Sequence, residues 1–145
     1  MKMALVLYDD IDTIWEEVSK HLLPAIQFNK LDTLENLRKN LNLEGRGLWV
    51  LINENQDIFG AATTAIIEYP NRKVLLIDYI GTPPGIFKKY EDLVVSTFQS
   101  YAYDTDCDVI KLDGRKGWGK ALHKYGAVAT RYIYEVPPGT SGLRR

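Results

Sequence analysis

A strand pattern, a helical stripe and a second strand pattern follow one another between Lys73 and Asp113. That succession restricts the fold more than any other feature of the chain. Lys73 to Ile80 reads as a strand. Phe87 to about Tyr103 reads as a helix, with Leu93, Val94, Phe98, Tyr101 and Ala102 forming one apolar stripe. Cys107 to Asp113 carries Val109, Ile110 and Leu112, a short apolar run with β-branched members, and reads as a buried strand. A strand, a helix of this length and a strand make a βαβ unit, whose crossover is almost always right-handed. The two strands are therefore expected to be parallel neighbours whose ends diverge beyond Ile80.

The chain leading into this unit supplies more elements. Met3 to Tyr8 is a strand candidate. Asp9, Asp10 and Asp12 offer N-cap chemistry to a helix carrying Ile14, Trp15, Val18 and Leu22 on one side, which Pro24 is expected to end or kink. Asp32 or Thr33 caps a second helix, with Leu34, Leu37 and Leu41 in register. Leu48 to Asn53 and Ile58 to Tyr69 are strands joined by the polar loop Glu54-Asn55-Gln56-Asp57. Gly60 inside the second suggests a bulge or a close approach. Pro70-Asn71-Arg72 turns into the strand at Lys73.

After Asp113-Gly114 the stretch Arg115 to Tyr125 reads as a short helix. Trp118, Leu122 and Tyr125 share a face, and Gly126 acts as the stop. Gly117 and Gly119 weaken that helix, so Trp118 is expected to be a core anchor. Val128 to Val136 reads as a closing strand. This last unit is either a packed corner or the lid of a ligand cleft with Arg115 and Lys116 at its mouth. The expected class is α/β (α+β mixed): a twisted mixed sheet of about six strands and about four helices, in the order βααβββαβαβ. One domain spans 1–136, and 137–145 forms a flexible Pro-Gly-Ser-rich tail.

Bulk properties remove several function classes. A net charge of −1 argues against a general nucleic-acid surface. The apolar runs fall short of the ~20 residues a membrane helix needs. The single cysteine, Cys107, excludes an internal disulfide. Two histidines and one cysteine, scattered as they are, have no metal-ligand spacing, and His21 and His123 read as surface or packing residues. A soluble intracellular protein without a metal is expected.

The element order, a three-strand meander feeding a long helix, resembles the GNAT acyltransferase fold over nearly the whole chain. Its end, ALHKYGAVATRYIYEV, is similar to that family's helix, Lys-x-Gly-aliphatic turn and closing strand. The string GRKGWGKALHKYGA resembles small GNAT-like proteins of tailed bacteriophages, among them internal or head–tail-associated virion proteins of podoviruses and acetyltransferase-like proteins. The resemblance implies a sheet splayed between Lys73–Ile80 and Cys107–Asp113 to admit acetyl-CoA.

Acyl transfer from CoA to an amine makes three demands: helix N-terminal amides for the pyrophosphate, a donor for the thioester oxygen, and a base for the ammonium proton. The family's Gln/Arg-x-x-Gly-x-Gly/Ala signature is replaced here by Gly81-Thr82-Pro83-Pro84-Gly85-Ile86-Phe87-Lys88-Lys89. Pro83 and Pro84 lack N–H groups. The remaining cofactor candidates are Gly85, Ile86, Phe87, Lys88 and Lys89, against the alternative of a solvated basic turn. The resemblance places a base at Asp78, whose apolar neighbours would raise its pKa, with Glu68 as a second candidate. A strand-edge aspartate facing water is the alternative for Asp78. The family's acid position, four residues before the closing glycine and often tyrosine, holds Leu122.

Two functions follow from the resemblance. In one, the chain is a phage protein with a degenerate cofactor loop. It rides in the virion or acts in the host cytoplasm, and contacts other phage structural proteins or a host protein. In the other, it is an active acetyl-CoA-dependent N-acetyltransferase. Tyr132 and Tyr134 alternate on one side of the closing strand, through which the resemblance implies an oligomer.

Overall fold

The structure is a computed structural model that describes residues 1–114 and 117–139. The chain divides into two compact units, Met1–Gly114 and Arg115–Arg145. The first unit holds strands β1 (Lys2–Leu5), β2 (Arg46–Ile52), β3 (Ile58–Glu68), β4 (Lys73–Gly81) and β5 (Val109–Leu112). It also holds helices α1 (Ile11–Asn29), α2 (Leu34–Asn40) and α3 (Ile86–Asp104). The strands form one five-stranded sheet in chain order. Neighbours from β1 to β4 are antiparallel, and β4 and β5 are parallel, as the βαβ reading requires.

Strand alternation assigns the two sheet faces. Leu48, Val50, Ile52 and Ala61 pack under α1 and α2 with Val18, Leu22, Ile26, Leu37 and Leu41. Met3, Trp49, Leu51, Ala62, Leu75 and Ile77 pack under Val94, Phe98 and Ala102 of α3. The stripe expected on α3 is therefore its buried face. Trp49 is the centre of that layer. Its ring meets Phe98 and Tyr101 edge-on at 5.2 and 4.9 Å, and its indole N–H donates to the Thr64 hydroxyl at 3.0 Å.

Local expectations were met unevenly. Thr33 caps α2 by accepting from the Asn36 amide at 3.1 Å. At Gly60 both expected features occur: the β2–β3 register shifts beside it, and an added β-carbon would meet the Thr82 methyl at 2.7 Å. Pro24, by contrast, does not end α1. The helix runs on to Asn29 and stops at Lys30, which takes a left-handed conformation. Buried Leu22 and Ile26 flank the proline and hold both halves on the sheet, which outweighs the backbone hydrogen bond that the proline removes. Asp10 does not cap α1 with its side chain. The 3-10 turn Tyr8–Asp10 leads into the helix, so the residue already has near-helical backbone angles.

The second unit, by itself, contains α4 (Gly117–Leu122) and a 3-10 turn His123–Tyr125 closed by left-handed Gly126. The expected helix gives way to 3-10 geometry after Leu122. Arg115 and Lys116, placed at a cleft mouth by the sequence reading, lie outside the described residues. Trp118 is half-buried and α4 has no buried residue, which corrects its reading as a core anchor. The sixth strand is a further correction: residues 127–139 form neither strand nor helix. Their composition suits a strand, but a strand is fixed by a neighbour that takes up its N–H and C=O groups.

Candidate functional site

β4 is the strand that builds the site. Its ladder to β3 runs from Lys73 to Gly81, but its ladder to β5 ends where Ile77 faces Leu112. β5 itself ends at Leu112, so among the described residues the edge of β4 from Asp78 to Gly81 has no ladder partner on the β5 side. The β3–β4 register also shifts here: Thr64 faces Ile77, Thr63 faces Tyr79, and Asp78 is the extra residue. A bulge of this kind bends the strand and re-aims its side chains.

Asp78 consequently points to the α1/α2 face instead of water. It accepts from the Arg46 guanidinium at 2.6 Å and from the Thr63 hydroxyl at 3.4 Å. The paired side chains of Arg46 and Asp78 are 27% and 16% exposed. Burial pushes the Asp78 carboxyl above its usual range, and the Arg46 charge and the hydrogen bonds oppose only part of that rise. Next to it, the Tyr79 hydroxyl accepts from the Asn29 amide at 2.8 Å and donates to Asp32 at 3.2 Å, tying β4 to the α1–α2 connection. Burial raises the Tyr79 pKa as well.

Gly81 ends the strand against α1. A β-carbon at this position would overlap the backbone carbonyl of His21, so the backbone of α1 lies directly against the end of β4. His21 is half-buried in the C-terminal half of α1. Desolvation lowers its pKa.

The loop after Gly81 leads to α3 through Pro83 and Pro84. Gly85 takes a left-handed conformation at the N-cap, with φ of 82°. The Ile86 amide donates to the Pro83 carbonyl at 3.1 Å, and the Lys89 amide to the Gly85 carbonyl at 3.2 Å. One of the candidate cradle amides is thus already spent within the loop. Tyr90 departs from helical angles, so residues 86–89 form a separate first turn before the helix proper. Lys88 and Lys89 are exposed, and the Lys89 ammonium lies 5.4 Å from the Tyr90 ring centre. An open cavity of about 490 Å³ lies between this turn, Phe59 and the Asn53–Asn55 turn. It takes in Ile86 and Lys89 but neither Asp78 nor Glu68.

The structure thus puts Asp78 three residues before the strand end from which the 85–89 turn departs. Glu68 is elsewhere. It faces Lys73 at the other end of the β3–β4 ladder, seven positions along β3 from Ala61, which faces Gly81. At ~3.4 Å per residue that is about 24 Å. Glu68 is exposed and makes a 3.9 Å ion pair with Lys73. Arg46, Thr63 and Tyr79 were not singled out from sequence. Only the coincidence of a bulge with a partly buried carboxylate reveals them, and neither leaves a local signal. Among the described residues no group of three His, Cys, Asp or Glu side chains could hold a metal, and no helix is long and apolar enough to cross a membrane.

No family model matches the sequence, and no curated protein does. Solved structures match in fold. A probable acetyltransferase superposes with a TM-score of 0.71 at 11% identity, covering 97% of this chain and 99% of that one. The aminoglycoside N-acetyltransferase AAC(6')-Iy, in complex with CoA, gives 0.65 at 12% identity, covering 96% and 100%. An aminoglycoside acetyltransferase from an uncultured soil metagenomic sample, in complex with sisomicin, gives 0.63 at 17% identity, covering 94% and 96%. The likeness extends over nearly the whole of each chain: this protein has the GNAT acetyltransferase fold.

Proposed function

We propose that the chain is a GNAT-fold protein whose cofactor loop is degenerate, with little or no acyltransferase activity, and that it serves as an interaction protein. The observation that carries this reading is the loop itself. Pro83 and Pro84 supply no N–H groups, and the Ile86 amide is committed to the Pro83 carbonyl. A pyrophosphate at the start of α3 would find fewer backbone donors than a helix N-terminus normally presents. Lys88 and Lys89 then act only as a solvated basic turn. The segment 114–127 resembles GNAT-like proteins of tailed bacteriophages, which supports a phage setting. The partner is another phage structural protein or a host protein, and the place of action is the virion or the host cytoplasm.

A second reading is favoured by Asp78. A partly buried carboxylate with a raised pKa on the edge of β4 beyond the β5 ladder is the sort of group that accepts a proton from an incoming ammonium. In that reading the chain is an acetyl-CoA-dependent N-acetyltransferase. The thioester lies along Asp78–Gly81, with Gly85, Ile86, Phe87, Lys88 and Lys89 around the phosphates. The acceptor amine displaces Arg46 from the carboxylate.

Calorimetric titration of acetyl-CoA into the wild type and into Lys88→Ala/Lys89→Ala separates the two. No heat in either protein is expected for the degenerate loop. Micromolar binding that the double substitution abolishes would overturn it. A thiol-release assay with a panel of amines then tests whether bound acetyl-CoA turns over.

A further inference from the structure

β1 lies at one edge of the sheet, and no described strand pairs with its outer side. One hydrogen bond fixes the geometry of that edge. The Val6 amide donates to the Leu48 carbonyl at 2.8 Å, continuing the antiparallel register in which Leu5 faces Trp49. Hydrogen-bonded pairs recur at every second residue of such a ladder. Ala4 and Val6 therefore turn their backbone groups toward β2, and Leu5 and Leu7 turn their amides outward. The Leu7 carbonyl is taken up by the Asp10 amide at 2.9 Å, which starts the 3-10 turn. The Leu5 amide and carbonyl and the Leu7 amide are left on the outer edge.

Sheet edges are usually guarded by a charge, a proline or a bulge that blocks further pairing. None of these interrupts Met3 to Tyr8, which is apolar throughout, and the β1–β2 register has no shift. Side chains alternate along the edge. Ala4 and Val6 pack against the α1 layer. Met3 packs under α3, and Leu5 on the same side lies over Gly47, where an added β-carbon would meet its methyl at 3.0 Å. Leu5, Leu7 and Tyr8 are nevertheless 45%, 72% and 59% exposed. An apolar strip along an unguarded edge is the template on which an extended peptide adds a strand.

Charge selects the occupant. Asp9, Asp10, Asp12, Glu16 and Glu17 follow the strip with no cation among them. Arg38 neutralises Asp12 at 2.7 Å. The other four are exposed and make no ion pair among the described residues. Asp9 and Asp10 come directly after Tyr8, so they flank the end of the strip at which a strand laid antiparallel on β1 would begin. A second copy of β1 would bring a single cation, Lys2, to these carboxylates. A partner segment that opens with several Lys or Arg side chains complements them far better.

We propose that the outer edge of β1 docks an extended segment of a partner protein, antiparallel, with basic residues at its start beside Asp9 and Asp10 and apolar side chains at alternate positions beside Leu5 and Leu7. Docking at this edge gives a surface and a partner chemistry to the interaction role proposed above. It does not involve the 81–89 loop, so peptide binding and acetyl-CoA binding succeed or fail separately.

The experiment is fluorescence anisotropy of a labelled peptide, Arg-Lys-Arg-Val-Thr-Val-Thr-Val, titrated with the full chain at low and at physiological salt. Two further peptides serve as comparisons: one opening with Glu-Asp-Glu, and the basic one N-methylated at its valines, whose amides would face β1. In the protein, Leu7→Pro blocks the edge. Leu7 has φ of −64°, which proline adopts, and its amide points outward. The basic peptide is expected to bind, about tenfold more weakly to Leu7→Pro and about tenfold more weakly when N-methylated. Asp9→Asn/Asp10→Asn is expected to weaken binding about threefold or more at low salt and to reduce its salt dependence. Exchange of the Leu5 and Leu7 amides with solvent should slow in the complex. Absence of binding by the basic peptide overturns the proposal. So does equal binding of the N-methylated peptide, a result that does not depend on whether Leu7→Pro folds, or equal binding of the acidic peptide. A free chain that sediments as a dimer, and that Leu7→Pro makes monomeric, would overturn it in favour of a second copy at this edge.

Discussion

Arg46 of β2 and Asp78 of β4 are joined at 2.6 Å although a whole strand, β3, lies between their own strands. The contact exists because Asp78 occupies a bulge and turns to the face on which Arg46 lies. Each group is partly desolvated, so removing one leaves the other charged in a place that disfavours charge. Arg46→Ala and Asp78→Ala are each expected to destabilise the fold by about 2–3 kcal/mol. Asp78→Ala/Arg46→Ala should cost less than the sum by about 1–3 kcal/mol. Urea denaturation of the four proteins measures the coupling, and strictly additive losses would show that the pair contributes nothing as a pair.

Gly81 is the next point at which the site depends on close packing. The backbone of α1 at His21 occupies the volume that any side chain there would need, and backbone cannot rotate aside. Gly81→Ala must therefore move α1 or bend the end of β4. A loss of about 1–3 kcal/mol is expected, with amide shifts spread over α1 and the β4 terminus in NMR spectra. Gly85→Ala provides the contrast. An added β-carbon there meets nothing, so its cost comes only from the left-handed backbone, about 1 kcal/mol. Equal losses at the two positions would contradict the packing argument.

Two of the three tryptophans, Trp49 and Trp118, contrast a core position with a half-buried one. Trp49 is 4% exposed, with two edge-on aromatic contacts and a buried hydrogen bond. Trp49→Ala is expected to cost about 3–5 kcal/mol. Trp118 stands on a helix with no buried residue, so Trp118→Ala should cost less than about 1.5 kcal/mol. Intrinsic fluorescence offers a second check. In a Trp15→Phe background, quenching by acrylamide should reach Trp118 after Trp49→Phe and hardly reach Trp49 after Trp118→Phe.

These residues also show what the chain discloses before it is folded. The α3 stripe, the meander and the parallel pairing of β4 with β5 were legible because strand and helix periods are local. The crossover that joins two such strands has few alternatives. Thr33 was legible as a cap because capping is decided within four residues. The Arg46–Asp78 pair was not, since 32 positions separate the two residues and the bulge that unites them depends on three strands. Trp118 was misread because a shared helix face says which residues point together, not how deeply they are buried, and Trp118 is only half-buried. Val128–Val136 was misread for a related reason: its composition suits a strand, but composition does not provide the neighbour.

His21 and Asp78 act on the pH dependence of stability with opposite signs. Burial holds the His21 pKa below its ordinary 6.5. The folded state then binds fewer protons than the unfolded chain just below that pH, so stability is present above 6.5 and is lost as pH falls. Burial raises the Asp78 pKa above its ordinary 3.8. There the folded state binds more protons than the unfolded chain, so stability is greatest in acid and is lost as pH rises through the folded value. Between about pH 4 and pH 7 the two contributions run against each other and flatten the wild-type curve. His21→Gln should expose the Asp78 slope, with stability rising toward acid. Asp78→Asn should expose the His21 slope, with stability falling toward acid. Asp12, whose pKa the Arg38 hydrogen bond lowers, acts only below that window. Thermal denaturation of the three proteins at half-unit steps is the measurement. Identical pH profiles for wild type and both variants would mean that neither group changes its protonation on unfolding in that range.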